Sequence, residues 1–578
     1  MSRLTKILKG REIAICGIGK FQEDFEYVFD TLKPKFYISD DFAGKLYKEL
    51  PVYRTYELKE ADLNNVLIVV CDLTVVKSGC EKRDWNRLED EGYNWGKDYI
   101  FADELFQTLD FDWKETANGR KIAIWGTGAE SRKLYITNKI ETTNLRPDVF
   151  VDMDESKCGK LFNGVEILHP SKLENLWHEY YVVVMTNDYY HEVYEYLSVR
   201  GLHEIDDFVS YHLIYDRTYA LPSEMMRKTV YASPIEGQPF CKTPFNMIHL
   251  RLDGHAIGCT CPEYSDKWFS AFGNYNYEPY ERIWQSASAK IFRLSILNNT
   301  YCFCLEKVCD IMKPERKENI NVARRAVPKD TEIPTHVFSE MDDVCNLRCP
   351  SCRVEPKYIE YGKEYQMRRV RAEKLVQSGW LEKAPAITIA GHGEVFYSKI
   401  YRSLLFHENS EKRNHITILS NGILFNENEF LHLMENYKSI SAIISVDGTR
   451  KETYEKLRPG ANFDILMRNL KMLSRQKKCG NLNYWQLNFV VQRENYLQMK
   501  EIINLAEEWG VDKVQFIHIM NWLYPQEEFD KMSMSTQDGA LKPELVEYLK
   551  DPIFDKPLVA MPWFKSRMNM LEKEEDCK

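Results

Sequence analysis

The sequence lacks the features that mark membrane, exported and nucleic-acid-binding proteins. No stretch approaches 18 uninterrupted apolar residues, and the start, MSRLTKILKGREIAIC, has no apolar core followed by a small-residue cleavage site. These absences argue against membrane insertion and export. Positive charge is not in excess either, because 77 Lys and Arg face 87 Asp and Glu for a net charge of -10. We expect a cytoplasmic protein with no membrane and no nucleic-acid partner.

The 15 cysteines are unevenly distributed. Six lie between Cys241 and Cys309, and three lie between Cys345 and Cys352. Because thiols stay reduced in the cytoplasm, clustered cysteines there are more often metal ligands than disulfides. We interpret the scattered remainder as thiols without chemistry: Cys16, Cys71, Cys80, Cys158, Cys479 and Cys577.

The first third of the chain contains a repeat. "EIAICGIGK" (12–20) reappears as "KIAIWGTGA" (121–129), with a glycine turn after a short apolar run in each copy. Later strand-like runs also correspond, and strands that alternate with helical patterns indicate a parallel sheet. The repeat predicts two small Rossmann-like parallel-sheet domains, residues 1–112 and 113–220.

After a charged, proline-flanked stretch that suits a linker (313–332), six strand-like runs alternate with helical patterns. Six β/α units are too few for an eight-stranded barrel and enough for most of one. The fold class we predict is α/β, with a partial (β/α)6 TIM-like barrel over 333–525. A small cysteine-rich α+β module (235–312) precedes it, and a C-terminal helical tail (526–578) follows.

The stretch "CNLRCPSC" (345–352) lies directly after the first strand-like run of the predicted barrel. Three cysteines in one loop can bind zinc or an iron-sulfur cluster. A structural zinc site needs a fourth ligand, and none follows within the loop. A cubane cluster with three protein ligands leaves one iron open to bind another molecule.

This loop resembles the signature of the radical S-adenosylmethionine (SAM) superfamily, a CxxxCxxC loop after the first strand of a partial β/α barrel. The resemblance covers about 190 residues and implies that Cys345, Cys349 and Cys352 hold a 4Fe-4S cluster. It further implies reductive cleavage of SAM to a 5'-deoxyadenosyl radical that abstracts hydrogen from a substrate. A reductant such as flavodoxin or ferredoxin is the implied electron donor.

Later motifs extend the resemblance and imply contacts with SAM. "AGHGEVF" (390–396) matches a Gly-Gly-Glu motif for the methionyl amino group, although His392 interrupts the glycine pair. "SNG" (420–422) and "SVDG" (445–448) end later strands where the family binds ribose and methionine, and an arginine matches one that binds the methionyl carboxylate. The implied SAM-binding residues are Gly391, Gly393, Glu394, Ser420, Asn421, Ser445, Asp447 and Arg458. No catalytic base or radical quencher can be named.

The earlier cysteine region resembles a SPASM domain, an accessory module that carries further iron-sulfur clusters. The resemblance implies a second cluster on Cys241, Cys304 and Cys309, with Cys259 or Cys261 as the fourth ligand. Four clustered thiolates suit zinc equally well. Such modules commonly follow the radical domain, whereas this one precedes it.

The substrate stays open between a peptide or protein and a sugar- or glycan-linked molecule. Relatives with SPASM modules commonly modify peptides, whereas the second repeat resembles a small domain at the front of some sugar N-acyltransferases. Two alternatives remain at this point. The chain could be a zinc-stabilised nucleotide-binding scaffold, or a NAD-dependent oxidoreductase that uses Gly126 and Gly128, with Asp152 at a distance suited to a ribose contact.

Overall fold

The computed structural model divides the chain into two compact units. One comprises Met1–Phe245 and His255–Glu332, and the other comprises Asn246–Gly254 and Ile333–Lys578. The structure describes residues 3–71, 84–128, 131–132, 145–186, 189–211, 214, 222–260, 271–276, 278–304, 309, 311–312, 331–352, 361–391, 393–409, 411–521 and 524–576. Within these residues, no helix has the length and apolar character needed to cross a membrane.

The first unit contains two sheets with the same topology, one in each copy of the sequence repeat. In chain order from first to sixth, the strands run 3-4-2-1-5-6 across the first sheet, and the second sheet has the same order read from its other edge. In both sheets the third strand is antiparallel to its neighbour and the other pairings are parallel. The first sheet comprises Glu12–Cys16, Pro34–Ile38, Leu46–Tyr47, Leu50–Tyr53, Val66–Val70 and Tyr99–Phe101. The second comprises Lys121–Trp125, Val149–Val151, Leu161–Phe162, Val165–Leu168, Tyr180–Val184 and Phe208–Ser210.

Continuous apolar runs form the central strands of these sheets. Val66–Val70 and Tyr180–Val184 are buried at every position, as expected for parallel strands covered on both faces. The first strand of each sheet ends in a glycine with positive φ, 98° at Gly17 and 109° at Gly126. A Cβ on Gly126 would lie 3.2 Å from the carbonyl oxygen of Met185. Only glycine fits this turn without strain.

Short helices connect and flank these strands. They are Arg3–Leu8, Lys20–Val28, Thr55–Glu60, Asp84–Asp90, Ala102–Gln107, Trp113–Ala117, Pro170–Leu173, Trp177–Glu179 and Tyr190–Ser198. The helix Pro222–Tyr231 precedes the predicted cysteine-rich region (235–312), whose helices are Thr243–Asn246, Tyr280–Trp284 and Ala287–Leu297. An antiparallel pair of strands, His255–Ile257 and Ala271–Asn274, completes this region.

The turn after the strand Ala271–Asn274 holds an inward-pointing carboxyl group. Oε1 of Glu278 accepts a hydrogen bond of 2.9 Å from the backbone N–H of Asn274, and it would lie 2.8 Å from a Cβ on Gly273. Burial raises the pKa of Glu278 to about 7, against an ordinary value of 4.5. The fold therefore favours the protonated form of this side chain.

The second unit is built on one parallel sheet of eight strands in a row. Each strand is parallel to the next. In order they are Met247–Leu250, His336–Ser339, Ala386–Ile389, Arg413–Ser420, Tyr437–Ser445, Tyr484–Val491, Lys513–His518 and Val559–Ala560. The middle six strands are the six predicted from the sequence. Their order and direction are those of a partial β/α barrel, and the barrel itself stays a prediction.

Two strands of this sheet were not predicted. Met247–Leu250 lies in the region predicted as the cysteine-rich module, and it pairs with His336–Ser339. Val559–Ala560 lies in the tail predicted as helical, and it pairs with Lys513–His518. Both strands are short and belong to the sheet through pairings over a long sequence distance. A local hydrophobic pattern cannot reveal such pairings.

Helices separate the strands of the second unit. They are Lys363–Gln377, Trp380–Lys383, Lys399–Leu405, Glu427–Asn436, Lys451–Leu457, Phe463–Lys478, Tyr496–Gln498, Met499–Trp509, Gln526–Met532, Pro543–Leu549, Pro552–Asp555 and Pro562–Asp576. Local chemistry sets several of their ends. Asn462 caps Phe463–Lys478 by accepting from the N–H of Ile465 at 3.0 Å, and Met499–Trp509 ends at Gly510, whose φ is 79°.

The glycine turn of the second sheet gives a stability prediction. Gly126→Ala forces a Cβ against the carbonyl of Met185 at a positive φ, and we expect a loss of about 1–3 kcal/mol in the local free energy of opening. Hydrogen exchange of peptides that cover Lys121–Trp125 in the full chain measures it. Gly128→Ala is the control, because a Cβ there meets no heavy atom within 4 Å. Equal protection in both variants would contradict the prediction.

Glu278 gives a prediction of pH dependence. Since its folded pKa of about 7 exceeds the ordinary 4.5, the folded protein binds more protons than the unfolded chain between these two pH values. The free energy of unfolding therefore falls as the pH rises through this window, by up to about 3 kcal/mol. Between pH 4.5 and pH 7, urea unfolding should show a smaller fall in the free energy of unfolding for Glu278→Gln than for the parent protein. The substitution of an exposed neighbour, Glu281→Gln, should behave as the parent protein.

Candidate functional site

The cysteine loop follows the strand His336–Ser339 and is held by residues from the connections that follow later strands. The carbonyl of Val344 accepts from the N–H of Glu394 at 2.8 Å, and the N–H of Arg348 donates to the carbonyl of Pro459 at 3.0 Å. The side-chain amide of Asn421 donates to Oδ1 of Asn346 at 2.9 Å. Two of these bonds hold the backbone, at Val344 just before the loop and at Arg348 within it, and the third holds the side chain of Asn346.

The three predicted cluster ligands lie near one another in this loop. Cys345 and Cys349 are half-buried, and Cys352 is exposed. Burial raises the pKa of Cys349 to about 11, the guanidinium of Arg458 opposes this shift, and the neighbouring thiols of Cys345 and Cys352 add to it. Nη1 of Arg458 lies 3.9 Å from Sγ of Cys349.

In the ranges that the structure covers, no three His, Cys, Asp or Glu side chains are arranged to hold a metal ion. The residues nevertheless fit an iron-sulfur cluster by type and by proximity, because thiolates are the ligands that such clusters use. That Cys345, Cys349 and Cys352 bind one stays a prediction.

Two glycines let the segment before the cysteine loop cross the end of the next strand. A Cβ on Gly391, whose φ is 124°, would lie 2.5 Å from Cγ of Glu340. A Cβ on Gly393 would lie 2.9 Å from the carbonyl oxygen of Asp342 and 3.0 Å from that of Val344. Both glycines were predicted as SAM contacts, and the structure gives them a packing role. His392, between them, lies outside the described residues.

Glu394 brings three of the predicted SAM-binding residues together. Its side chain is 1% exposed. Oε1 accepts from the hydroxyl of Ser420 at 2.7 Å, and Oε2 accepts from the backbone N–H of Asn421 at 2.7 Å. Burial raises the pKa of Glu394, and these hydrogen bonds oppose the shift. A buried carboxylate with spare lone pairs is suited to receive an ammonium group.

Asp447 and Arg458, predicted as two separate SAM contacts, form one buried ion pair. Nη2 and Nε of Arg458 lie 2.7 Å and 2.9 Å from Oδ2 of Asp447. Oδ1 of Asp447 accepts from the N–H of Val490 at 2.8 Å. Burial lowers the pKa of Arg458, the carboxylate of Asp447 raises it, and the net shift is upward. One side of the guanidinium is thus committed to the protein, and Nη1 faces the cysteine loop.

A comparison with known protein families matches the part of the chain that contains these residues. The model of the Radical SAM superfamily matches residues 340–506, a range that spans the cysteine loop, Glu394 and the Asp447–Arg458 pair. The chain carries a radical SAM domain. The match confirms, for these residues, the radical SAM resemblance and the class of enzyme predicted from the sequence.

Several solved structures resemble parts of the chain. Streptococcus suis SuiB bound to precursor peptide SuiA is 17% identical with a TM-score of 0.28, covering 40% of this chain and 49% of SuiB. The anSMEcpe enzyme with bound AdoMet and Cp18Cys peptide is 18% identical with a TM-score of 0.28, covering 40% of this chain and 63% of that one. TYW1 with a lysine-pyruvate adduct is 18% identical with a TM-score of 0.24, covering 37% and 70%. The chain thus spans about half the length of SuiB.

A second family model matches outside the radical SAM domain. It is described as C2185-like, N-terminal, and covers residues 118–204, which lie in the second predicted Rossmann-like domain. No curated protein matches the chain.

A buried polar network under the cysteine loop of the radical SAM domain was missed from the sequence. Arg368 bonds to the carboxylates of Asp342 and Asp343, the latter at 2.5 Å. The hydroxyl of Ser398 donates to Asp342, and that of Tyr401 donates to the Asp342 carbonyl at 2.7 Å. The adjacent acids in "DDVC" were the available signal, since buried acids need partners. This network fixes the segment that enters the loop.

The radical SAM domain also presents a polar face along its sheet. Residues such as Trp485 and Leu487 are buried, whereas those between them are half-buried. We call the half-buried positions the open face: His336, Phe338, His415, Thr417, Leu419, Ser439, Ile443, Ser445, Tyr484, Gln486, Asn488, Val490, Lys513 and Gln515. Ser445, a predicted SAM contact, ends its strand on this face beside Asn488.

Hydrogen bonds connect side chains across and along the open face. His415 Nδ1 lies 2.8 Å from the hydroxyl of Ser439, and the hydroxyl of Tyr484 donates to Oε1 of Gln486 at 2.8 Å. Nε2 of Gln486 donates to Oδ1 of Asn488 at 2.7 Å. Burial lowers the pKa of His336 and of His415, so both are neutral near pH 7. This surface suits a ligand that forms hydrogen bonds.

The accessory cysteines are only partly described. Burial raises the pKa of Cys241, and an electrostatic interaction with the thiol of Cys309 adds to the shift. Cys304 lies in a turn, where its N–H donates to the carbonyl of Tyr301 at 2.8 Å. Cys259 is half-buried. Cys261 lies outside the described residues, so the choice between Cys259 and Cys261 stays a prediction.

The Asp447–Arg458 pair gives a stability prediction. Asp447 is 0% and Arg458 is 8% exposed, so Asp447→Asn leaves a buried guanidinium without its counter-charge. We expect the free energy of unfolding to fall by about 3–5 kcal/mol, as measured by urea unfolding of the full chain. Asp464→Asn removes the exposed partner of Lys451 and should cause no measurable change. Equal stability of the two variants would show that the buried pair adds nothing.

Proposed function

We propose that this chain is a cytoplasmic radical SAM enzyme that cleaves SAM reductively and abstracts hydrogen from a bound substrate. When bound, a reduced 4Fe-4S cluster supplies the electron that breaks the sulfonium bond and generates the 5'-deoxyadenosyl radical. The observation that carries the proposal is the convergence of three cysteines, a buried carboxylate and a buried arginine in the connections that follow parallel strands. All of them lie within the radical SAM match.

Each residue of this constellation has a proposed task. Cys345, Cys349 and Cys352 hold the cluster by their thiolates. The Glu394 carboxylate compensates the methionyl ammonium group, oriented by Ser420 and Asn421. Arg458 compensates the methionyl carboxylate through its remaining edge, while Asp447 holds the guanidinium in place.

The glycines and the strand-end serines complete the proposed SAM site. Gly391 and Gly393 bring the cysteine loop close to Glu394 because neither has a side chain to block it. Ser420, Asn421 and Ser445 stand at strand ends, where hydroxyl and amide groups are suited to bind ribose. A flavodoxin or ferredoxin is the proposed reductant.

A second iron-sulfur cluster is proposed for the accessory cysteines. Its ligands are Cys241, Cys304 and Cys309, with Cys259 or Cys261 as the fourth, and the electrostatic interaction between Cys241 and Cys309 supports it. Four thiolates would saturate this cluster. It would transfer electrons or support the fold rather than bind SAM.

The open face supports a substrate that forms many hydrogen bonds. Its hydroxyl, amide and neutral imidazole groups can pair with backbone amides or with sugar hydroxyls, so a peptide or protein and a sugar-linked molecule both remain proposed substrates. The two alternatives, a zinc-stabilised scaffold and a NAD-dependent oxidoreductase, are not supported by the family match, because that match is to the Radical SAM superfamily.

Anaerobic reconstitution tests the proposal. We expect about eight irons per chain, four for each of two clusters, and release of 5'-deoxyadenosine from SAM after reduction with dithionite. Cys349→Ser should abolish cleavage, whereas Cys479→Ser, at an exposed thiol outside both sites, should not. Cys309→Ser should retain about four irons. Bound zinc without cleavage would refute the enzyme, and a chain that cleaves SAM with only four irons would refute the second cluster alone.

A further inference from the structure

The second Rossmann-like domain contains a cleft that the proposed radical chemistry does not use. Its volume is about 490 Å³, within the range of sites for small molecules. It lies at the carboxyl ends of Lys121–Trp125 and Tyr180–Val184, which pair in parallel. Val149–Val151 pairs with the other side of Lys121–Trp125. The first strand therefore lies between the second and the fifth strands of this sheet, where the order of the strands changes direction. Ligands of open parallel sheets bind at such a point.

The floor of the cleft differs from a dinucleotide site. Ser131 stands where the fingerprint has its third glycine, and its hydroxyl donates to the carbonyl of Gly126 at 2.5 Å. Asp152, placed for a ribose contact, is already engaged: its Oδ2 accepts from the N–H and the hydroxyl of Thr127 and from Lys157 at 2.9 Å. Asp152 therefore stabilises the glycine turn, and its Oδ2 is already engaged in hydrogen bonds within the protein.

The walls of the cleft combine exposed apolar surface with carboxylates. Met153 is 56% exposed and Tyr189 is 49% exposed, although both line the cleft. Asp154 and Glu192 line it as well and are exposed. A flat ring can pack against the apolar pair, and carboxylates accept hydrogen bonds from hydroxyl groups.

The charge of the cleft disfavours phosphate. Among the lining residues that the structure describes, Asp152, Asp154 and Glu192 carry negative charge and Lys157 alone carries positive charge. Nζ of Lys157 lies 2.9 Å from Oδ2 of Asp152 and 3.8 Å from Oδ2 of Asp154, so its charge is compensated within the protein. A diphosphate would bring further negative charge to a net negative wall.

We propose that this cleft binds a nucleoside, a planar base with an uncharged hydroxylated sugar, and rejects the corresponding nucleoside diphosphate. The base packs between Met153 and Tyr189, and the sugar hydroxyls donate to Asp154 and Glu192. The site does not depend on a cluster or on radical chemistry. Its occupancy can therefore be measured on the full chain without iron.

Isothermal titration of the full chain with adenosine, guanosine, cytidine and uridine, and with their 5'-diphosphates, tests the proposal. We expect at least one nucleoside to bind with a Kd below about 1 mM and its diphosphate to bind at least tenfold more weakly. Failure of all four nucleosides, or tighter binding of a diphosphate, would overturn the proposal.

Two variants separate the proposed contacts from general effects on folding. Glu192→Lys reverses a charge on the wall and should reduce the ratio of the diphosphate Kd to the nucleoside Kd at least fivefold. Glu195→Lys, outside the cleft on the same helix, should leave this ratio unchanged. Tyr189→Ala should weaken nucleoside binding at least fivefold, and Tyr361→Ala, at an 85% exposed tyrosine of the other unit, should not. An unchanged ratio in Glu192→Lys would refute the assignment of Glu192 to the wall that rejects the diphosphate.

Discussion

The close approach of the segment 340–344 to Gly391 and Gly393 is the constraint on which the candidate site depends. At Gly393, the carbonyl oxygens of Asp342 and Val344 occupy the space that a side chain would need. This approach allows the N–H of Glu394 to donate to the carbonyl of Val344 at 2.8 Å, so one backbone bond couples the cysteine loop to the predicted carboxylate. Any larger residue at Gly393 separates two parts that the proposed chemistry needs side by side.

Buried charge forms the second layer of the same arrangement. Asp447 compensates Arg458 at one end of the site, and Arg368 compensates Asp342 and Asp343 below the cysteine loop. Buried pairs of this kind gain little net stability over apolar packing, but they cost several kcal/mol when one partner is lost. Their value to this chain is therefore geometric, since each pair admits few alternative arrangements of the loop it supports.

Much of the fold follows from local patterns, and much of the site does not. Continuous runs such as Val66–Val70, and the alternation along Tyr484–Val491, predicted strands that the structure contains. The cysteine spacing predicted the family. The Asp447–Arg458 pair was missed because each residue was read as a separate ligand contact. The Arg368 network was missed because Arg368 lies on a helix far from the acids in sequence. Partner choice over such distances is decided by packing, which no short window of sequence contains.

The strand Met247–Leu250 has a consequence for where the chain can be divided into fragments. The second unit begins with Asn246–Gly254, is interrupted by 78 residues of the first unit (His255–Glu332), and resumes at Ile333. The segment His255–Glu332, which carries Cys259, Cys304 and Cys309, therefore lies in the sequence between two parts of the second unit, whereas Cys241 precedes both parts. A fragment that starts at Ile333 would expose the backbone edge of His336–Ser339, the strand that leads to the cysteines. A fragment intended to contain the complete sheet of the second unit must therefore begin before Met247.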